Sequence, residues 1–104
     1  MDNQEQKERR KYARYPLRKD ILIDDITKAY SQNISEDGMF LCTIHPLEKG
    51  SIINVTIPSK FTVKAEVINN QPGIGTGIKF IDLNYDQKIK IKQLIEDIKL
   101  EGFI

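Results

Sequence analysis

The four arginines of the chain, Arg9, Arg10, Arg14 and Arg18, fall within ten residues, whereas its twelve lysines are spread from Lys7 to Lys99. The two cations do different chemistry. Lysine is a flexible point charge, while guanidinium is a planar fork that meets a phosphate or a guanine edge with two parallel hydrogen bonds. In Arg9-Arg10-Lys11-Tyr12-Ala13-Arg14, Arg10 and Arg14 form an RxxxR string with another arginine just ahead of it. A solvated charged tail is the plain alternative for such a run. Nineteen residues beyond Arg14 begins Asn33-Ile34-Ser35-Glu36-Asp37-Gly38, an NxSxxG string. Alone it reads as a turn, because Asn, Ser, Asp and Gly all favour turns. In an extended segment, however, Asn33 and Ser35 point to one face. They would offer an amide and a hydroxyl to a base edge or a phosphate oxygen, with Gly38 letting the backbone turn tightly beside them.

The elements that must position these groups are short. Ile21-Leu22-Ile23, a weaker Lys28-Ala29-Tyr30-Ser31 and the apolar Met39-Phe40-Leu41-Cys42 are strand candidates. Ile53, Val55 and Ile57 alternate, as do Phe61, Val63, Ala65 and Val67, and then Ile74, Thr76, Ile78 and Phe80. Turn material separates them: Glu36-Asp37-Gly38, Lys49-Gly50, Pro58-Ser59 and Asn69-Asn70-Gln71-Pro72-Gly73. Such spacing suggests a small antiparallel barrel or sandwich. From Tyr85 the period changes. Ile91, Leu94, Ile95 and Ile98 form one face of an amphipathic helix, opened by an Asn84/Gln87 capping box and stopped by Gly102. Its apolar stripe is expected to seal one side of the barrel.

Composition narrows the function. The 104 residues suit one modest core, with 39% hydrophobic and 30% charged side chains. The net charge of +1 is uneven. Residues 1–19 carry seven basic and three acidic groups, residues 20–104 nine basic and twelve acidic, so the two segments stand at +4 and −3. A nucleic-acid polymer normally needs a broad basic face, which this body lacks. Cys42 is the only cysteine, so a reducing, cytoplasmic setting is expected, with no membrane insertion. His45 is the only histidine, which argues against a metal site or Cys–His catalysis, and Cys42 reads as core. Gly73-Ile74-Gly75-Thr76-Gly77 matches no phosphate-binding loop and runs into a strand, where close backbone approach explains it better. Nothing in the sequence argues for an enzyme.

Taken together, RxxxR, NxSxxG, the alternating strands, Gly75-Thr76-Gly77-Ile78-Lys79-Phe80 and the terminal helix resemble a PilZ domain from Glu8 to about Leu100. The resemblance implies a mainly β fold, a six-stranded antiparallel β-barrel with a C-terminal α-helix. Residues 1–8 would be a flexible tail and 9–104 the domain, with an arginine arm over 9–18 and the helix over 84–101. It further implies binding of the second messenger cyclic di-GMP, with no cofactor besides that ligand. Arg10 and Arg14 would grip guanine edges and phosphates. Asn33 and Ser35 would contact a guanine and its surroundings, and Gly38 would match the turn glycine. Arg9 occupies the position that influences whether one ligand or a stacked pair is bound, and arginine there leans towards two per chain. Asp37 stands where a second turn glycine is frequent and adds negative charge near a dianionic ligand. The expected protein is a receptor whose arm orders on the ligand and signals through a downstream protein. The alternatives are an interaction module of the same fold with no nucleotide role and, more remotely, a barrel for single-stranded nucleic acid.

Overall fold

The computed structural model describes residues 12–101. Seven strands and one helix follow in order: β1 (Tyr15–Pro16), β2 (Asp20–Ile23), β3 (Thr27–Ile34), β4 (Gly38–Thr43), β5 (Ile52–Ile57), β6 (Phe61–Gln71), β7 (Gly75–Ile81) and α1 (Tyr85–Glu101). All pairings are antiparallel. β2 pairs with β3 and β5, β5 with β6, β6 with β7, β7 with β4, and β4 back to β3, so six strands close into the expected barrel. The two-residue β1 pairs with the end of β3, on the edge that β2 occupies lower down.

Turn chemistry sets the hairpins. Asp24 and Asp25 take φ of 52° and 63°, and the Ile26 N–H donates to the Ile23 carbonyl, which is the I′ geometry that matches strand twist. These two carboxylates are exposed. One of them also caps the sheet, since Asp24 Oδ1 accepts from the Asn54 N–H at 2.8 Å. The β6–β7 turn is tighter than Asn69-Asn70-Gln71-Pro72-Gly73 suggested. Asn69, Asn70 and Gln71 remain in the ladder, and Pro72-Gly73, with Gly73 at φ 77°, makes the reversal. Ile74 therefore sits in the turn, 60% exposed, while Thr76, Ile78 and Phe80 face inward as expected.

The inward faces of β5 and β6 are those read from their alternation: Ile53, Val55 and Ile57, then Phe61, Val63, Ala65 and Val67. Two bulges break the period. The register shifts between Ser31 and Asn33 in β3, and between Val67 and Asn69 in β6. One extra residue at each place turns two successive side chains outward, Gln32 with Asn33 and Ile68 with Asn69.

Helix α1 buries Ile91, Leu94, Ile95 and Ile98, the four predicted positions. Each such burial stabilises by about 1.5–3 kcal/mol. The capping box is formed in both directions: the Asn84 N–H donates to Gln87 Oε1 at 2.9 Å, and the Gln87 N–H to Asn84 Oδ1 at 2.7 Å. Gln87 Nε2 also donates to the Thr62 carbonyl, fixing the start of α1 on β6. The expected stop at Gly102 lies outside the described residues. No helix of the described residues is long and apolar enough to cross a membrane.

Candidate ligand-binding site

The arm is held by a residue that has no motif. Leu17 is fully buried, its N–H donates to the Gln32 carbonyl at 3.1 Å, and its own carbonyl accepts from Ser31 Oγ at 2.6 Å. The same hydroxyl accepts from the Lys19 N–H at 2.9 Å, and the Ser31 N–H donates to the Lys19 carbonyl. Ser31 is itself fully buried, so one small polar side chain and one leucine clamp the arm to β3. Just before this clamp, Tyr15 pairs with Ile34 and Pro16 with Asn33.

That register brings Arg14 of the first motif to Asn33 of the second. The exposed Arg14 donates from Nη1 to Asn33 Oδ1 at 3.2 Å, across nineteen residues of chain. Asn33 is half-buried and faces outward because of the Gln32 bulge. A guanidinium fork and an amide thus share the outer wall of the barrel, a donor-rich pair suited to a phosphate or a guanine edge. Arg9 and Arg10 lie outside the described residues.

Ser35 and Gly38 belong to the turn that follows. β3 ends at Ile34, so strand alternation does not carry Ser35 to the face of Asn33. Ser35 is 1% exposed, and its Oγ donates to Asp37 Oδ1 at 2.6 Å. The Asp37 carboxylate, a concern near an anionic ligand, is thereby drawn back onto the turn, and the Asp37 carbonyl accepts from the Phe80 N–H. Gly38 opens β4 rather than forming a left-handed turn. A Cβ on it would lie 2.2 Å from the Ile78 carbonyl oxygen, so the position needs the absence of a side chain, not positive φ.

The helix reaches the arm at its far end. Lys99 Nζ stands 5.4 Å from the centre of the Tyr15 ring. The hydrogen bond that Lys99 donates to Glu96, and then that carboxylate's charge, hold the Lys99 pKa above its ordinary value. Tyr12, Ala13 and Tyr15 of the arm, Glu36 of the turn and Lys92 and Lys99 of α1 border a cleft of about 310 Å³. Cys42, expected in the core, is half-buried on the outward side of β4, where Gln32 Nε2 donates to its sulfur. The glycines of Gly75-Thr76-Gly77 do mark close approach: a Cβ on Gly75 would meet the Phe40 ring at 2.5 Å.

A closed six-stranded barrel, with residues 12–19 held along β3 beside an Asn-x-Ser-x-x-Gly turn, defines a class of small β-barrel domain. A family model described as PilZ domain matches residues 8–97, and the chain belongs to that family. Among solved structures, Escherichia coli YcgR in complex with c-di-GMP aligns with a TM-score of 0.70 at 16% identity, covering 90% of this chain and 47% of that one. The Bacillus subtilis inhibitor of motility (MotI/DgrA) gives 0.71 at 18% identity, covering 89% and 52%. The PilZ domain of YcgR from Escherichia coli with c-di-GMP gives 0.72 at 19% identity, covering 90% and 94%. The chain thus spans about half the length of the first two of these proteins. No curated protein matches the sequence.

Proposed function

We propose that this chain is a receptor for cyclic di-GMP, bound on the outer wall of the barrel between the arginine arm and the Asn33 turn. The observation that carries the reading is the Arg14–Asn33 hydrogen bond, in which one residue of the RxxxR string meets one residue of the NxSxxG string. Membership of the PilZ family supports it, as do neighbours of the same fold whose structures hold c-di-GMP. In this reading Arg10 and Arg14 take guanine edges and phosphates, and Asn33 takes a guanine edge with its amide. Ser35 and Gly38 shape the turn beside them, and Arg9 meets a second, stacked ligand. Residues 1–8 are a tail, 9–18 the arm and 84–101 the helix of one domain spanning 9–104. Ligand orders the arm ahead of the Leu17 clamp, up to about Arg14, and the changed surface is read by a downstream protein in the cytoplasm.

Ligand must replace the Arg14–Asn33 bond with better ones. A charge-assisted hydrogen bond contributes about 1.5–3 kcal/mol net, so losing one arginine weakens binding by roughly ten- to a hundredfold. Calorimetric titration of wild type, Arg10→Ala and Arg14→Lys with cyclic di-GMP tests this. Saturable binding weakened roughly tenfold or more in Arg10→Ala and weakened in Arg14→Lys is expected, with a ratio near two supporting the role given to Arg9. No binding by the wild type would overturn the reading and move the function to a protein-interaction module.

A further inference from the structure

Both halves of the proposed ligand site adjoin α1. Arg14 and Asn33 meet on the outer wall of the barrel. The residue after Arg14 is Tyr15, and the turn that follows Asn33 carries Glu36. Tyr15 and Glu36 both border the cleft of about 310 Å³ whose other wall is α1, through Lys92, Glu96 and Lys99. The helix and its lysines belong to neither motif.

Across this cleft one cation reaches the arm. Lys99 Nζ, 5.4 Å from the centre of the Tyr15 ring, is within the range at which a ring face attracts a positive charge. The ammonium is steadied from behind, since it donates to Glu96 Oε2 at 3.3 Å, one turn back on the same helix. Lys92 borders the same cleft, yet among the described residues only Lys99 lies over an aromatic ring. Tyr15 is in turn tied to the site. Its backbone pairs with Ile34, beside Asn33, and it follows Arg14 directly in the chain. Arg14 itself is exposed and bonded only to the Asn33 amide among the described residues, so its place depends on what holds Tyr15.

We infer that Lys99 is a positioning residue for the ligand site: it holds the Tyr15 ring and, through it, keeps Arg14 where the ligand needs it. This rests on the cyclic di-GMP reading above and adds a residue that touches no ligand. Part of the ordering that binding requires is then made in advance, which raises affinity without any new contact to the ligand. Such coupling is reciprocal, so bound ligand holds Lys99 against the ring more firmly than the free arm does. The last turn of α1 is thereby made to register whether the site is occupied.

The test is calorimetric titration of the full chain with cyclic di-GMP for wild type, Lys99→Met, Lys99→Arg and Lys92→Met. Carbon–proton NMR of the Lys99 side chain with and without ligand accompanies it. Both lysines are exposed, and thermal melts establish that the variants are folded. Lys99→Met keeps an unbranched stem but loses the cation, and is expected to weaken binding about two- to fivefold. Lys99→Arg restores a cation that can lie on the ring and should bind as the wild type does. Lys92→Met removes the same charge from the same cleft without touching the ring, and should leave affinity unchanged. Ligand should move the Lys99 Hε signals further upfield, as a closer ring face requires. Equal weakening by Lys92→Met would show a long-range charge effect and overturn the positioning role. So would Lys99→Arg binding as poorly as Lys99→Met, wild-type affinity in Lys99→Met, or Hε signals that stay in place at saturation. Each of these leaves the receptor reading standing, whereas failure of the wild type to bind would remove both together.

Discussion

Replacing Ser31 by alanine removes the hydroxyl that clamps the arm, and the structure sets the size of the effect. Ser31 Oγ has one proton. It donates that proton to the Leu17 carbonyl at 2.6 Å, within a buried setting, and accepts from the Lys19 N–H at 2.9 Å. An alanine leaves the Leu17 carbonyl without this donor, which costs about 1–3 kcal/mol. Loss of the part-buried bond from Lys19 adds about 1 kcal/mol, because water can replace it in part. The expected loss is about 2–4 kcal/mol, a large share of the roughly 5–15 kcal/mol that holds a domain together. Urea denaturation followed by circular dichroism measures the total, and amide exchange locates it. The Leu17 and Lys19 amides should exchange faster than those of β5 and β6 by more than the global loss explains. Ser51→Ala is the control, since its hydroxyl bonds an exposed carbonyl of Glu48 and should change stability by under about 0.5 kcal/mol. A Ser31→Ala loss no larger than that of the control would refute the clamp. So would exchange that quickens equally throughout the barrel.

Gly38→Ala puts a Cβ 2.2 Å from a backbone oxygen that cannot swing aside, so a loss of about 3 kcal/mol or more is expected by urea denaturation. Asn84→Ala removes the cap that accepts from the Gln87 N–H and should cost about 1 kcal/mol, seen as a melting temperature roughly 4–8 °C lower. Glu96→Gln should bring the Lys99 pKa back towards its ordinary 10.5, read from the lysine side-chain NMR signals against pH. Because the folded value is raised, the contact favours the charged amine. Its contribution is complete below pH 10.5 and fades as pH climbs past the raised value, and titration at the ordinary value in the wild type would contradict this.

The elements legible in the sequence were those with an unbroken period. The helix showed itself through Ile91, Leu94, Ile95 and Ile98 and through the reciprocal Asn84/Gln87 spacing, and all six act as read. β5 and β6 were plain for the same reason over Ile53–Ile57 and Phe61–Val67. The bulges at Gln32 and Ile68 were not, because one inserted residue changes which face a side chain takes without changing composition. Asn69 was read as turn material for that reason. Leu17 follows a proline and has no periodic partner, and Ser31 is buried only because its bonds come from backbone fourteen and twelve residues away. Cys42 lies in an apolar run, yet the run alternates once it is paired, leaving Met39 and Leu41 inside and Phe40 and Cys42 on the outer side. The two motifs were legible in order, and the register of β1 on β3 is what brings Arg14 to Asn33.

The meeting of Tyr15 with Lys99 has a consequence in time as well as in space. The arm is gripped on one side by β3 and touched on the other by the last turn of α1, residues separated by most of the chain. Contacts of such long sequence separation carry a larger loop-closure cost and form late. The arm's full seat is therefore absent from a chain still emerging from the ribosome, even after the first hairpin has closed. Partly made copies lack the helix side of that seat, and synthesis of α1 is what finishes it.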